Sequence, residues 1–218
     1  MPPPKKYIVF FDLDKTILSV NSGALIVKLA YKKGLMSTLN LLNAVVQGYL
    51  YKFNLRDTNI IISKMGTWVK GLDQEVIDEF SKDIVNNYLK FKVRPKIIKE
   101  IAFHKQNNAG IVILSSAIAP ICEAMGKILA ADDIICTTME AKNRILTGAP
   151  EGTFCFGEEK RIRLLIYCEN KKQEPGSAWY YADSISDLPA FEVVGHPICV
   201  SPDRRLARIA YSKQWRII

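Results

Sequence analysis

The residues with the clearest chemical potential in this 218-residue chain are Asp12 and Asp14, in the segment Asp12-Leu13-Asp14-Lys15-Thr16. They follow an apolar run, Tyr7-Ile8-Val9-Phe10-Phe11. If the chain stays extended for two more residues, both carboxylates project to one side and Leu13 to the other. Two close carboxylates repel, so one holds a proton or a cation lies between them. One carboxylate can then attack an electrophile while its neighbour shuttles a proton, or both can help hold a hard metal ion. Further polar groups stand at comparable positions. Ser115-Ser116 follow the apolar run Ile111–Leu114, and Asp183, with Asp187 after it, follows Trp179–Ala182. Lys160 sits near the start of a helical pattern. Ser115 and the N–H groups that follow it suit phosphate oxygens, and Lys160 can neutralise their charge. Asp183 can complete a metal site with Asp12, while Asp187 precedes Leu188-Pro189 and suits both a metal site and a helix N-cap.

These residues need a scaffold that brings them together. An apolar run of β-branched and aromatic residues reads as a strand buried on both faces. From Arg94-Pro95 onward the pattern alternates. Helices are expected at Lys96–Gln106, from Pro120 to Ala130, at Glu158–Glu169 and at Arg204–Tyr211. Strands are expected at Ile111–Leu114, Ile134–Thr137, Trp179–Ala182 and Pro197–Val200, with turns or a small hairpin over Asn143–Gly152. This alternation predicts an α/β fold, a doubly wound, Rossmann-like parallel sheet. Ligands of such sheets bind at the carboxyl ends of the strands. Between Ile17 and Val93 the periodicity is helical throughout, over Ala24–Tyr31, Leu39–Phe53, Asn59–Val69 and Gln74–Tyr88. That is too much chain for one crossover. The expected division is an α/β core of residues 1–16 and 94–218, with residues 17–93 an all-α cap beside the Asp12 edge.

Composition narrows the possibilities. With 49% hydrophobic and 24% charged residues, the chain has material for a core and no signature of disorder. A net charge of +8 suits anionic partners. The five cysteines are scattered with no Cys-x-x-Cys pair, which argues against a disulfide framework or a zinc site, and two histidines offer little for a histidine-based metal centre. The start, MPPPKK, does not read as a signal peptide, so a cytoplasmic location is expected. Gly34 to Tyr51 carries no charge but includes Asn40, Asn43 and Gln47. It reads as an amphipathic packing helix, and membrane contact is not expected. The basic C-terminal stretch (Arg204, Arg205, Arg208, Lys213, Arg216) has few stacking aromatics (Tyr211, Trp215) and no recognition motif, so nucleic acid is not an expected partner.

The four motifs, in this order and with a helical insert after the first, resemble the haloacid dehalogenase superfamily, in the branch that includes phosphoserine phosphatase. The resemblance implies a phosphatase acting on a small or medium phosphomonoester. Asp12 is then the nucleophile that becomes an aspartyl phosphate, and Asp14 the acid and base. Ser115 and Lys160, with Ser116 alongside, hold the phosphoryl oxygens, and Thr16 orients the aspartates. Mg²⁺ is held by the carboxylates of Asp12 and Asp183 and the carbonyl of Asp14, with support from Asp187. All-oxygen ligands favour Mg²⁺ over softer metals. Two features depart from phosphoserine phosphatases. Asn21 stands about where a glutamate meets the substrate's ammonium, and Ser116-Ala117 replace glycines. Arg56 is a candidate for a substrate carboxylate. The alternatives are phosphotransfer to an alcohol and hydrolysis of a lipid phosphate.

Overall fold

The computed structural model describes residues 5–52, 64 and 66–218; the side chains of residues 51 and 52 are not among those described. Its centre is a six-stranded, wholly parallel sheet. The strands are β1 (Ile8–Phe11), β2 (Gly110–Ile118), β3 (Asp133–Thr137), β6 (Trp179–Ala182), β7 (His196–Cys199) and β8 (Arg216–Ile217). Their order is β3-β2-β1-β6-β7-β8. The chain winds outward from β1 to one side, then returns to pair β6 with the free side of β1. The order therefore reverses between β1 and β6, the place where doubly wound sheets bind ligands.

Alternation within β1 explains why the sheet is buried on both faces. Val9 and Phe11 join Ile111, Ile113, Tyr181 and Ile198 in one apolar layer. Ile8 and Phe10 join Val112, Leu114, Tyr180, Ala182 and Cys199 in the other. The first layer is covered by α1 (Ser22–Lys32), α3 (Gln74–Asn87), α4 (Pro95–Gln106) and α5 (Ala119–Leu129). The second is covered by α6 (Glu158–Asn170), α7 (Leu188–Phe191) and α8 (Arg204–Ser212). Local signals set the helix starts: Asn21, Asp73 and Asp203 cap α1, α3 and α8 through their side-chain oxygens. Pro95 and Pro120 occupy first-turn positions in α4 and α5.

The expected strands and most expected helices are present within a few residues. The short edge strand β8 and the one-turn helix α7 were not expected; both are too short to carry a periodicity. The expected hairpin is β4 (Met139–Lys142) with β5 (Ile145–Pro150). Most of the helix expected over Asn59–Val69 lies outside the described residues, and Thr67–Val69 form a single 3₁₀ turn.

The helical stretch leaves and rejoins the sheet at one place. Leu18 and Val93 form an antiparallel bridge. The Ser19 N–H donates to the Lys92 carbonyl and the Arg94 N–H to the Ile17 carbonyl, each at 2.8 Å. Farther out, Val69 and Ile77 pack against Leu146 of the hairpin. Three backbone hydrogen bonds of 2.8–2.9 Å reinforce that contact: Gly71 to Leu146, Leu146 to Leu72 and Gln74 to Arg144.

One helix differs from its expected orientation. In α2 (Thr38–Lys52) Leu39, Leu42, Val45, Val46 and Tyr49 are exposed, while Gln47 is buried and Asn40 half-buried. The apolar side faces outward, the reverse of a packing helix. The Gln47 amide instead donates to the Asn43 side-chain oxygen at 3.2 Å.

His104, fully buried in α4, shows a second use of polar groups in the core. Its Nδ1 lies 2.9 Å from the Tyr7 hydroxyl and its Nε2 lies 2.8 Å from the Tyr181 hydroxyl. Burial pushes the imidazole from its ordinary 6.5 down to about 4, with Glu100 opposing the shift. An unfolded chain binds a proton at this site below about pH 6.5, whereas the native ring stays neutral until about pH 4. Stability from this site is therefore lost as pH falls through that window, at up to about 1.4 kcal/mol per pH unit. The stability gap between the wild type and His104→Gln, from urea midpoints, is expected to narrow from about pH 7 to about pH 5. A constant gap would remove His104 as the source.

Candidate active site

The candidate residues sit where the ends of β1 and β6, the outer part of β2 and one helix start meet; β2 continues to Ile118, so Ser115 lies within the strand and not after it as expected. Asp12 directly follows β1, and its N–H donates to the Tyr181 carbonyl of β6 at 2.9 Å. Because Phe11 pairs with Tyr181, Asp183 emerges from the neighbouring strand almost level with Asp12. Phe11 also pairs with Ile113 on the other side, which brings Ser115 to the same edge. Lys160 enters from the first turn of α6, where its N–H donates to the Gly157 carbonyl.

After Asp12 the backbone departs from an extended course. Asp12 (ψ 154°) and Asp14 (ψ 129°) are extended, but Lys15 adopts a left-handed conformation with φ 57°. The chain then closes a wide turn, with the Ile17 N–H donating to the Asp12 carbonyl and the Leu18 N–H to the Leu13 carbonyl. Leu13 is fully buried and Asp12 is buried, while Asp14 is half-buried. The Asp14 carboxylate is fixed by the Ser22 N–H at the start of α1, at 2.8 Å. Burial raises the Asp14 carboxyl above its ordinary range, and the hydrogen bonding from Ser22 partly offsets the rise.

Lys160 is the hub of the buried cluster. Its Nζ lies 2.7 Å from Asp12 Oδ1, 2.7 Å from Asp187 Oδ1 and 3.3 Å from the Tyr180 hydroxyl. Tyr180 in turn donates to Asp187 Oδ1 at 2.9 Å. The Thr16 hydroxyl donates to Asp183 Oδ1 at 3.4 Å. Burial disfavours charge on Lys160, but Asp12 and Asp187 outweigh it and hold the ammonium well above its ordinary value. Asp12 is pushed up to about 8, by burial first; Lys160 opposes that rise, while Asp187 and Asp183 add to it. Asp183 is pushed up to about 7 by burial and by Asp187. One ammonium is not enough for this many buried carboxylates.

A divalent cation fits this imbalance. Asp12, Asp183 and Asp187 are buried, and each offers a carboxylate oxygen within 4.8 Å of the others. The donors are all hard oxygens, which suit Mg²⁺ or Ca²⁺ rather than a thiophilic metal.

The remaining candidates separate clearly. Ser115 is fully buried, and its Oγ accepts the Ala117 N–H at 3.2 Å, which leaves its own hydrogen free to donate. Ser116 is half-buried, and its carbonyl accepts from the Thr137 hydroxyl. Asn21 is exposed, and its side-chain oxygen caps α1 through the Ala24 N–H at 2.8 Å. Arg56 lies outside the described residues. Tyr180 was missed in the sequence reading. Inside an apolar strand it reads as core, and only the location of Lys160 reveals that its hydroxyl is used.

A model of the haloacid dehalogenase-like hydrolase family matches residues 9–192. The chain is 29% identical over 222 residues to a probable phosphatase of Mycobacterium tuberculosis, covering 99% of this chain and 76% of that one. It is 25% identical over 222 residues to a histidinol-phosphatase of Neisseria meningitidis, covering 98% of each. Among solved structures, a Bordetella pertussis protein of unknown function superposes with a TM-score of 0.88 at 18% identity, covering 98% of each chain. A phosphoserine phosphatase in a phospho-aspartyl intermediate analogue shares the fold with a TM-score of 0.67 at 16% identity, covering 98% of this chain and 92% of that one. The family model spans the first strand, the helical insert and every candidate residue described above. The chain belongs to the haloacid dehalogenase-like hydrolase family.

Proposed function

We propose that this chain is a Mg²⁺-dependent phosphomonoester hydrolase that works through a phosphorylated Asp12. The observation that carries the reading is the meeting of Asp12, Asp183, Asp187 and Lys160 at one buried point, with Asp14 and Ser115 at the same edge. Hydrolysis of phosphate monoesters is among the slowest uncatalysed reactions, so positioning and charge neutralisation supply most of the catalysis. Asp12 attacks phosphorus. As the P–O bond to the leaving alcohol breaks, Asp14 gives that oxygen a proton, a role favoured by its raised pKa. Water then attacks phosphorus, Asp14 takes its proton, and Asp12 departs as a carboxylate. The Ser115 hydroxyl and the Lys160 ammonium hold the phosphoryl oxygens throughout. Asp12 and Asp183, with the Asp14 carbonyl, would hold Mg²⁺, and Asp187 would support it. When bound, the ion neutralises charge between the nucleophile and the incoming phosphate.

In this reading residues 17–93 are a cap over the site, and their entry and exit beside Ile17 support that. The substrate class is a small or medium phosphorylated metabolite, and the kinship with a histidinol-phosphatase supports a small phosphomonoester. Capping of α1 ties up the side-chain oxygen of Asn21, which weakens its case as a substrate contact.

The test is a panel of phosphomonoesters assayed with and without Mg²⁺. Turnover is expected to require the ion, to disappear with a chelator and to return when Mg²⁺ is restored in excess. Rapid quenching is expected to trap a hydroxylamine-sensitive phosphoprotein. Undiminished turnover in chelator would remove the metal from the mechanism, and no phosphoprotein at any time point would remove the covalent step.

A further inference from the structure

The helix α2 is built inside out. At about 100° per residue, Leu39, Leu42, Val45, Val46 and Tyr49 fall on one arc of about 120°. All five are exposed, Leu39 at 76% and Val45 at 60%. The opposite arc holds Asn40, Leu41, Ala44, Gln47 and Gly48, which are half-buried or buried. A continuous apolar stripe turned to solvent on a helix that buries a glutamine marks an interaction surface.

The charge of the segment that carries the stripe points to the partner. From Lys15 to Arg56 the chain contains no Asp or Glu, yet carries Lys15, Lys28, Lys32, Lys33, Lys52 and Arg56. Lys28 and Lys32 are exposed on the last turns of α1, which packs against α2, while Lys33 beside them is paired with Asp83 of α3 at 2.6 Å. A second copy seated on the same stripe would set these cations against their own kind, because a two-fold interface pairs a patch with itself. An anionic surface would not. The 15 described residues of the helix are too few to span a bilayer, and no described helix is long and apolar enough to cross one. An apolar arc within a lysine-bearing segment free of acidic residues suits a helix lying in the headgroup region.

We propose that α2 docks this protein onto anionic lipid bilayers, with its apolar stripe in the interface and the neighbouring lysines on the headgroups. This surface is independent of the phosphatase chemistry, so binding and turnover are read separately.

The test is co-sedimentation of the full chain with vesicles of phosphatidylglycerol and phosphatidylcholine, against vesicles of phosphatidylcholine alone. Binding is expected to the anionic vesicles only, and to weaken as salt rises. Leu42→Asp and Val46→Asp are each expected to lower the partition coefficient by about tenfold or more. Lys32→Glu is expected to lower it less, by about threefold. All three are surface changes, so the helical circular dichroism spectrum and turnover of a soluble aryl phosphate are expected to stay as in the wild type. No vesicle binding at low salt overturns the proposal, as does binding that survives both aspartate substitutions. A solution dimer that the same substitutions dissociate, with no vesicle binding, assigns the stripe to a second copy instead.

Discussion

Asp12→Asn is expected to lower turnover of an aryl phosphate by at least about 10⁴-fold while leaving the fold in place. Removal of a group that forms the covalent bond abolishes the route, and what remains is binding and charge stabilisation alone. The structure gives reasons for the fold to survive. Asparagine is nearly isosteric, its amide oxygen can still accept from Lys160, and the Asp12 N–H keeps its bond to the Tyr181 carbonyl. The substitution also removes one charge from a group of crowded carboxylates, where burial and the neighbouring Asp187 and Asp183 already push Asp12 up to about 8. The melting temperature is therefore expected to stay level or rise. The checks are steady-state kinetics and a thermal melt on the same preparation. Retention of about a tenth of wild-type turnover would exclude Asp12 as the nucleophile, and a collapsed melt would show that its carboxylate holds the fold.

Lys160→Met is expected to damage both stability and activity. The ammonium is almost completely buried between Asp12 and Asp187, each 2.7 Å away. Methionine fills similar space without the charge, so the carboxylates are left uncompensated. Breaking a buried pair from one side costs about 3–5 kcal/mol, which for a chain of this size lowers the melting temperature by about 10 °C. With Lys160 in the proposed role of holding the phosphoryl oxygens, loss of its charge is expected to lower turnover by about 10²–10³-fold. Mg²⁺ then serves as a diagnostic. A cation that binds only the native state stabilises it by mass action. Its effect on the melting temperature is expected to be larger in Lys160→Met than in the wild type, because the ion supplies the missing charge. An equal Mg²⁺ effect in both proteins would separate Lys160 from the metal-binding carboxylates.

The two experiments test different parts of the arrangement. Asp12 is tested for its bond to phosphorus, and Lys160 for the charge balance of a buried polar group. Both have a structural readout beside the kinetic one, so a variant that merely misfolds is told apart from one that has lost its chemistry.

Much of this was legible in the sequence. Apolar runs ending in Asp12 and Asp183 set two strands and their polar ends, since a strand buried on both faces admits charge only where it leaves the sheet, whereas β2 runs on past Ser115 to Ile118. Pro95 and Pro120 marked the starts of α4 and α5, whereas the caps of α1, α3 and α8 emerged only in the structure. Lys160 was a weaker signal, one lysine among many until its order relative to the aspartates was considered. Other features depend on contacts between segments distant in the chain, which periodicity does not encode. Tyr180 looks like core until Lys160 and Asp187 arrive beside its hydroxyl. Asn21 looks like a substrate contact until it is seen capping α1. The direction in which α2 turns its apolar side depends on what the rest of the chain leaves uncovered.

The sequence by itself determined the parallel α/β scaffold, through residue type and local spacing, and its motifs, in their order along the chain, carried the resemblance to the family. Only the tertiary structure decided how the groups of those motifs share charge, with one buried ammonium set among several carboxylates, and which way the α2 stripe faces. Both are properties of long-range packing. Burial turns neighbouring charges into strongly interacting ones, and exposure of an apolar face is defined only once all other surfaces have been paired.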